Sequence, residues 1–146
     1  MKQWKILGLL CLALLLCGCQ RQAVQEGSLF AVALQWEGDI PLYGVRVEYY
    51  LDQQPVGGQE VWAHPKLREP FSAGADVTFQ FLEQNFPEGV EGKTFGLAVF
   101  AVLEGGEELL AQGLCQWRAT AGETYPFVLS LGGTGQAHLK GEARGS

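Results

Sequence analysis

Few residues in this chain of 146 carry side chains suited to catalysis. The histidines are His64 and His138, and the cysteines stand at 11, 17, 19 and 115. A zinc site needs three or four ligands that converge from suitable spacings, and neither His64 nor His138 has companions placed to do so. His64 is therefore read as an ordinary loop residue. Ser28, Ser72 and Ser130 lack the G-x-S-x-G setting of an activated serine, and no base accompanies them. Glu104, Glu107 and Glu108 surround Gly105-Gly106 as a charged, solvated turn. Asp39, Asp52 and Asp76 do not follow the spacing of a calcium loop. The expectation is no catalytic residue, no metal and no cofactor.

One cysteine stands in a different setting. The basic start Met1-Lys2-Gln3-Trp4-Lys5 leads into an apolar run of eleven residues, 6–16, which closes on Leu16-Cys17-Gly18-Cys19. Spanning a bilayer core takes about 20 helical residues, so this run is too short for a membrane anchor. An ordinary secretory signal places small residues in the A-x-A manner before its cleavage site, which Cys17-Gly18 does not supply. The four residues resemble the lipobox of bacterial lipoproteins, with Cys17 where that family commonly has Ala, Ser or Thr. The resemblance implies cleavage before Cys19 and a diacylglyceryl group on its sulfur. It places the protein on the extracytoplasmic face of the cell membrane, with the lipid bilayer as a partner. Two or three acyl chains hold a protein stably, at about 0.8 kcal/mol per buried methylene.

Charge and cysteine count follow from that cleavage. All sixteen acidic residues lie beyond Cys19 while Lys2 and Lys5 are lost, leaving eight basic residues and a formal charge of −8. Such a surface repels phosphate backbones and anionic headgroups, which argues against nucleic acid as a partner. Cys115 is then the one free thiol, with no intrachain disulfide open to it. Within an apolar strand pattern it reads as a small buried hydrophobe.

The elements follow from periodicity. Residues 20–27 form a short polar tether that reaches at most about 28 Å. Phe30, Val32, Leu34 and Trp36 alternate with small or polar residues, as do Val45, Val47, Tyr49 and Leu51. Gln53-Gln54-Pro55-Val56-Gly57-Gly58 reads as a turn before a short strand over 59–62. Val77, Phe79 and Phe81 mark a fourth strand, the nearly continuous apolar run 94–103 a central one, and 108–118 and 124–131 the last two. About seven strands with turns every 8 to 12 residues predict an all-β, antiparallel two-sheet sandwich over 28–131. The division is then a signal peptide over 1–18, a lipidated cysteine and tether over 19–27, the sandwich, and a Gly-rich disordered tail over 132–146.

Asp39-Ile40-Pro41-Leu42-Tyr43-Gly44-Val45-Arg46-Val47 resembles the opening hairpin of transthyretin-like and collagen-binding B-type modules, where a Pro-Leu-x-Gly-Val-x-Val run begins a strand. That resemblance covers about twenty residues and implies a transthyretin-like or immunoglobulin-like sandwich; the chain as a whole resembles small lipid-anchored sandwich proteins of Gram-positive bacteria. Some of the collagen-binding modules carry a Lys–Asn isopeptide bond. Asn85 is the sole asparagine and falls in a turn, so that chemistry is not carried over.

Most aromatic residues fall on inward phases. Tyr43, Tyr50 and Trp62 fall at turns or on outward phases, positioned to stack on a sugar or anchor a protein. Along 94–103, placing Phe95, Leu97, Val99 and Ala101 in the core turns Ala98, Phe100 and Val102 outward. Leu110 and Leu114 would join them in an apolar patch, unless the loop over 63–74 covers it. The expected function is a non-enzymatic binding or accessory module at the cell envelope that contacts proteins or glycans. The alternative is an envelope hydrolase or metal-dependent enzyme.

Overall fold

The computed structural model describes residues 24–66, 69–112, 115–131 and 135–141, so Cys19 and Leu114 lie outside the described residues. Among the described residues, nine strands form two sheets packed face to face as a β-sandwich: β1 (Ser28–Gly38), β2 (Gly44–Leu51), β3 (Gln54–Trp62), β4 (Asp76–Leu82), β5 (Thr94–Val102), β6 (Glu108–Leu110), β7 (Gln116–Arg118), β8 (Thr124–Leu131) and β9 (Ala137–Gly141). One sheet runs β4-β1-β8-β9; the other runs β3-β2-β5-β6, with β7 also pairing to β5.

The alternation in β1 and β2 is what builds the core. Phe30, Val32, Leu34 and Trp36 face Val45, Val47 and Tyr49 across the interior, all at most 4 % exposed. Aromatic rings fill one half of this interior. Phe30 stacks on Phe81 at 4.8 Å and meets Phe95 edge-on at 4.9 Å, and Trp117 packs within about 5 Å of Phe95, Tyr125 and Phe127. Offset and edge-to-face pairs at these distances add about 0.5–1.5 kcal/mol each beyond the area they bury.

Four expectations are corrected. First, the pairing is not wholly antiparallel, because β1 and β8 run parallel, from Ala31↔Thr124 to Gly38↔Leu131. Second, the turn after β2 occupies Asp52-Gln53 alone, both with positive φ (48° and 67°), and Pro55 to Gly58 belong to β3. Two consecutive positive φ values suit a two-residue hairpin. Asp52 is held there because its carboxylate accepts a bond from Thr94 N at 2.8 Å while its own N–H donates to Thr94 O. Pro55 is tolerated because β3 is an edge strand.

Third, the run over 108–118 is two strands. After Ala111 N donates to Val99 O, Gln112 turns to the other sheet, donating to Ala137 O and accepting from Leu139 N. Fourth, the stretch expected to be a disordered tail contributes β9, in which Ala137 and Leu139 point inward at 1 % and 7 % exposure. Short alternation between Gly-rich flanks conceals that strand in the sequence. Gln112 on one side of the sandwich, and the Gln59 amide donating to Gln80 O on the other, tie the two sheets at their margins.

Candidate functional site

Across the outer face of the β2–β5–β6 sheet, Arg46 organises a compact plate. Residues two apart on a strand share a face, so Arg46, Glu48 and Tyr50 all project outward from β2. Register sets Arg46 beside Phe100, and Phe100 beside Leu110. The guanidinium lies 3.9 Å above the Phe100 ring centroid. It donates through Nε and Nη2 to the two Glu108 oxygens at 2.8 and 2.9 Å, and through Nη1 to Glu48 at 2.6 Å. Tyr50 Oη in turn donates to the second Glu48 oxygen at 3.2 Å.

This fork on a carboxylate is the strongest ion-pair geometry open to arginine. It holds the carboxyls of Glu48 and Glu108 below their ordinary range and raises the guanidinium pKa, in each case chiefly through the hydrogen bonds between them. The Tyr50 phenol is raised, first by its bond to Glu48, and so remains a proton donor at neutral pH. Every charge in the plate is thus already partnered.

The predicted contact residues are scattered by this arrangement. Tyr43 is expected at an open turn but is only 9 % exposed. Its backbone is fixed from both sides, since Tyr43 N donates to Val102 O and Tyr43 O accepts from Ala63 N. Val102, expected outward and open, is 1 % exposed and lies outside the main core cluster. The half-buried Trp62 explains the crowding here: its ring lies over Gly44, where a Cβ would stand 2.5 Å from the indole. Gly44 is registered between Trp62 and Val102 across the sheet.

Phe100 is half-buried beneath Arg46, and Leu110 is 53 % exposed. The other large exposed hydrophobics among the described residues, Ile40, Val56 and Leu82, lie on separate elements. Arg46 over Phe100 and Trp62 over Gly44 interrupt the apolar patch expected from the sequence, and the loop over 63–74 reaches the same end of the sheet, with Ala63 N donating to Tyr43 O and Phe71 N to Leu42 O. Arg46 was not among the residues singled out, and Glu108, read as part of a solvated turn, is instead held by Arg46. Only the shared outward phase of Arg46, Glu48 and Tyr50 signals the plate, because the place of β6 beside β5 is a property of the fold.

Two shallow grooves flank these features. One, of about 330 Å3, lies over Gly96 and Ala98 between Tyr50 and Gln116. The second, of about 470 Å3, lies on the opposite sheet over Ala33, Pro126 and Val128, with Asp76 and Lys140 at its rims. Neither gathers an acid–base pair. Cys115 borders the first groove, yet it is a free, buried thiol whose pKa is pushed up to about 12 by desolvation. That is the opposite of an activated nucleophile. Among the described residues, no group of three or more His, Cys, Asp or Glu side chains is placed to hold a metal ion. The only imidazole contact recorded there is local, with Lys66 N donating to His64 Nδ1 at 3.3 Å.

No protein-family model matches the chain, and no curated protein matches it. Among solved structures it is similar to the NMR structure of a protein from Eubacterium rectale, with 11 % identity and a TM-score of 0.41, over 80 % of this chain and 92 % of that one.

Proposed function

We propose that this protein is a lipoprotein anchored through acylated Cys19 to the extracytoplasmic face of the cell membrane, where it acts as a non-enzymatic binding or accessory module. The observation that carries the proposal is the Leu16-Cys17-Gly18-Cys19 run at the close of a short apolar segment behind a basic start. The arrangement of the folded part supports the second half of the reading. Its most perturbed carboxylates are engaged by Arg46, and its thiol is buried and protonated. Titratable groups tuned for catalysis ordinarily sit in a cleft with pKa values near the working pH. A protein or glycan of the envelope is the expected partner.

Cells grown with a labelled fatty acid test the anchor. The wild-type chain takes up label and sediments with membranes. Cys19→Ala takes up none and is either retained at full length or released. Label on the Cys19→Ala protein equal to wild type overturns the proposal.

A further inference from the structure

The topology puts the start of the folded chain at one end of the sandwich, and that has a consequence for how an anchored body is presented. Gln25 N donates to the Gln80 side chain, Gly27 O accepts from Glu83 N, and Leu29 O accepts from Gly122 N. These bonds fix residues 25–29 beside the 3-10 turn Glu83–Asn85 and the turn that precedes β8. The Asp52-Gln53 hairpin belongs to the same end, since Leu51 pairs with Phe95 and the Phe95 ring lies 4.9 Å from Phe30. The opposite end carries residues 39–43, the Trp62 end of β3 and the 3-10 turn Glu104–Gly106. β5 alone has nine residues, which at about 3.3 Å each sets the two ends roughly 30 Å apart.

We infer that the anchored domain stands end-on to the bilayer, with the Glu83–Asn85 end toward the lipid and the Trp62 and Glu104 end presented outward. The inference rests on acylation of Cys19. Four residues separate Cys19 from Val24, and the five residue steps between the two reach at most about 18 Å, less than the length of the body, so the domain cannot invert. Lying flat would require a face that adheres to headgroups. The β2–β5–β6 face offers Arg46, which is already held by two carboxylates. The opposite face offers Lys140 with Asp76 across the groove.

The bilayer-facing end is itself acidic. Glu26, Asp52, Glu83, Glu88, Glu91 and Glu123 are all exposed there, against Arg118 and a Lys93 that pairs with Glu88. On anionic lipid these carboxylates keep the body off the surface to the limit of its tether, an effect that fades as salt shortens the screening length to about 8 Å at physiological ionic strength.

The test uses the acylated full chain in vesicles that carry a nitroxide on the lipid headgroup. A fluorophore is attached to a cysteine introduced by Glu91→Cys at the near end, Gln35→Cys or Glu60→Cys on the flanks, or Glu107→Cys at the far end. The chain without an introduced cysteine reports any labelling of Cys115, and a Cys115→Ala background replaces it if labelling occurs. Quenching is expected to be strongest at 91, weaker at 35 and 60, and absent at 107. On phosphatidylglycerol vesicles the signal at 91 should rise with salt, and on phosphatidylcholine it should already be high. Flank quenching equal to that at 91, or any quenching at 107 comparable with it, overturns the end-on arrangement while leaving the anchor intact. Failure of the wild-type chain to float with vesicles removes the anchor and this inference with it.

Discussion

Cys115 shows at the scale of a single residue how the fold suppresses chemistry. Its thiol sits among the core residues at 6 % exposure, and loss of solvation moves its pKa from 9.0 to about 12. Thiolate, not thiol, is the attacking species, so a bulky maleimide should modify the native protein far more slowly than the urea-unfolded chain. Equal rates in the two states would contradict the burial. The same shift makes stability pH-dependent at the alkaline end. The unfolded thiol ionises above about 9 while the folded one does not, so the thiol's contribution to stability is constant below that pH and is lost as pH rises toward 12.

Arg46 makes the opposite point, that an exposed charge can be fully engaged. Removing the guanidinium uncovers Phe100 and leaves Glu48 and Glu108 without their partner. Surface pairs and cation–π contacts are each worth about 0.5–1 kcal/mol, so Arg46→Ala should cost roughly 1–2 kcal/mol by denaturant unfolding. In a double-mutant cycle, Arg46→Ala and Phe100→Leu should couple by about 0.5–1 kcal/mol, and strict additivity would mean that the stacking contributes nothing.

Among the elements, the short strand β6 is tied to the sheet by a side chain as well as by its backbone. It has three residues, and Glu108 is clamped to β2 across β5. Both carboxylates of the plate have folded pKa values below their ordinary 4.5, so their contribution is fully present above about pH 4.5. It is lost as pH falls through the lowered values. Protection of the Leu109 and Ala111 amides against hydrogen exchange, taken relative to the intrinsic rate at each pH, should therefore fall on acidification below that point, and the Arg46→Ala variant should not show the change. An identical response in both proteins would remove the plate as its cause.

Strand β3 carries a different constraint. A Cβ on Gly57 would stand 2.7 Å from Tyr49 Oη, the group that accepts a bond from Asn85. Gly57→Ala is expected to displace that phenol and lower stability by about 1 kcal/mol, read as a fall in melting temperature.

Elements with strict alternation were legible in the sequence for a physical reason. In β1, β2, β4 and β8 one face is buried and the other is not, so the period of two is imposed on the residue types. β3 was read short because Pro-Val-Gly-Gly looks like a turn, whereas the hairpin needed only Asp52-Gln53. β9 was missed because its five residues inherit burial from β8 and Gln112 rather than from a long apolar run. Tyr43 misled because it stands beside the turn at Pro41, although it shares the inward phase of Val45, Val47 and Tyr49. Val102 misled because phase places it outward, and the Trp62 ring over Gly44, its neighbour in register, is a tertiary fact that no single strand encodes. The parallel pairing of β1 with β8 joins strands distant in sequence, and strand order leaves little trace in local pattern.

At the scale of the whole molecule, the aromatic half of the core joins the two sheets, and Phe30 is one of its central rings, beside Phe95. Phe30 is fully buried and contacts Phe81, Phe86, Phe95 and Tyr125. Phe30→Ala should cost about 3–5 kcal/mol, a large fraction of the stability of a domain of this size. A loss under 1 kcal/mol would show that the interior can collapse into the space.

In the proposed reading the sandwich is carried on a short leash, with Cys19 as the point of attachment. The intact mass of the chain isolated from membranes of the producing cell tests that claim most directly. The account predicts a chain that begins at Cys19, lacks residues 1–18, and is heavier than the bare polypeptide by a thioether-linked diacylglyceryl group. A chain that begins at Met1, or one cut elsewhere with an unmodified Cys19, would contradict it.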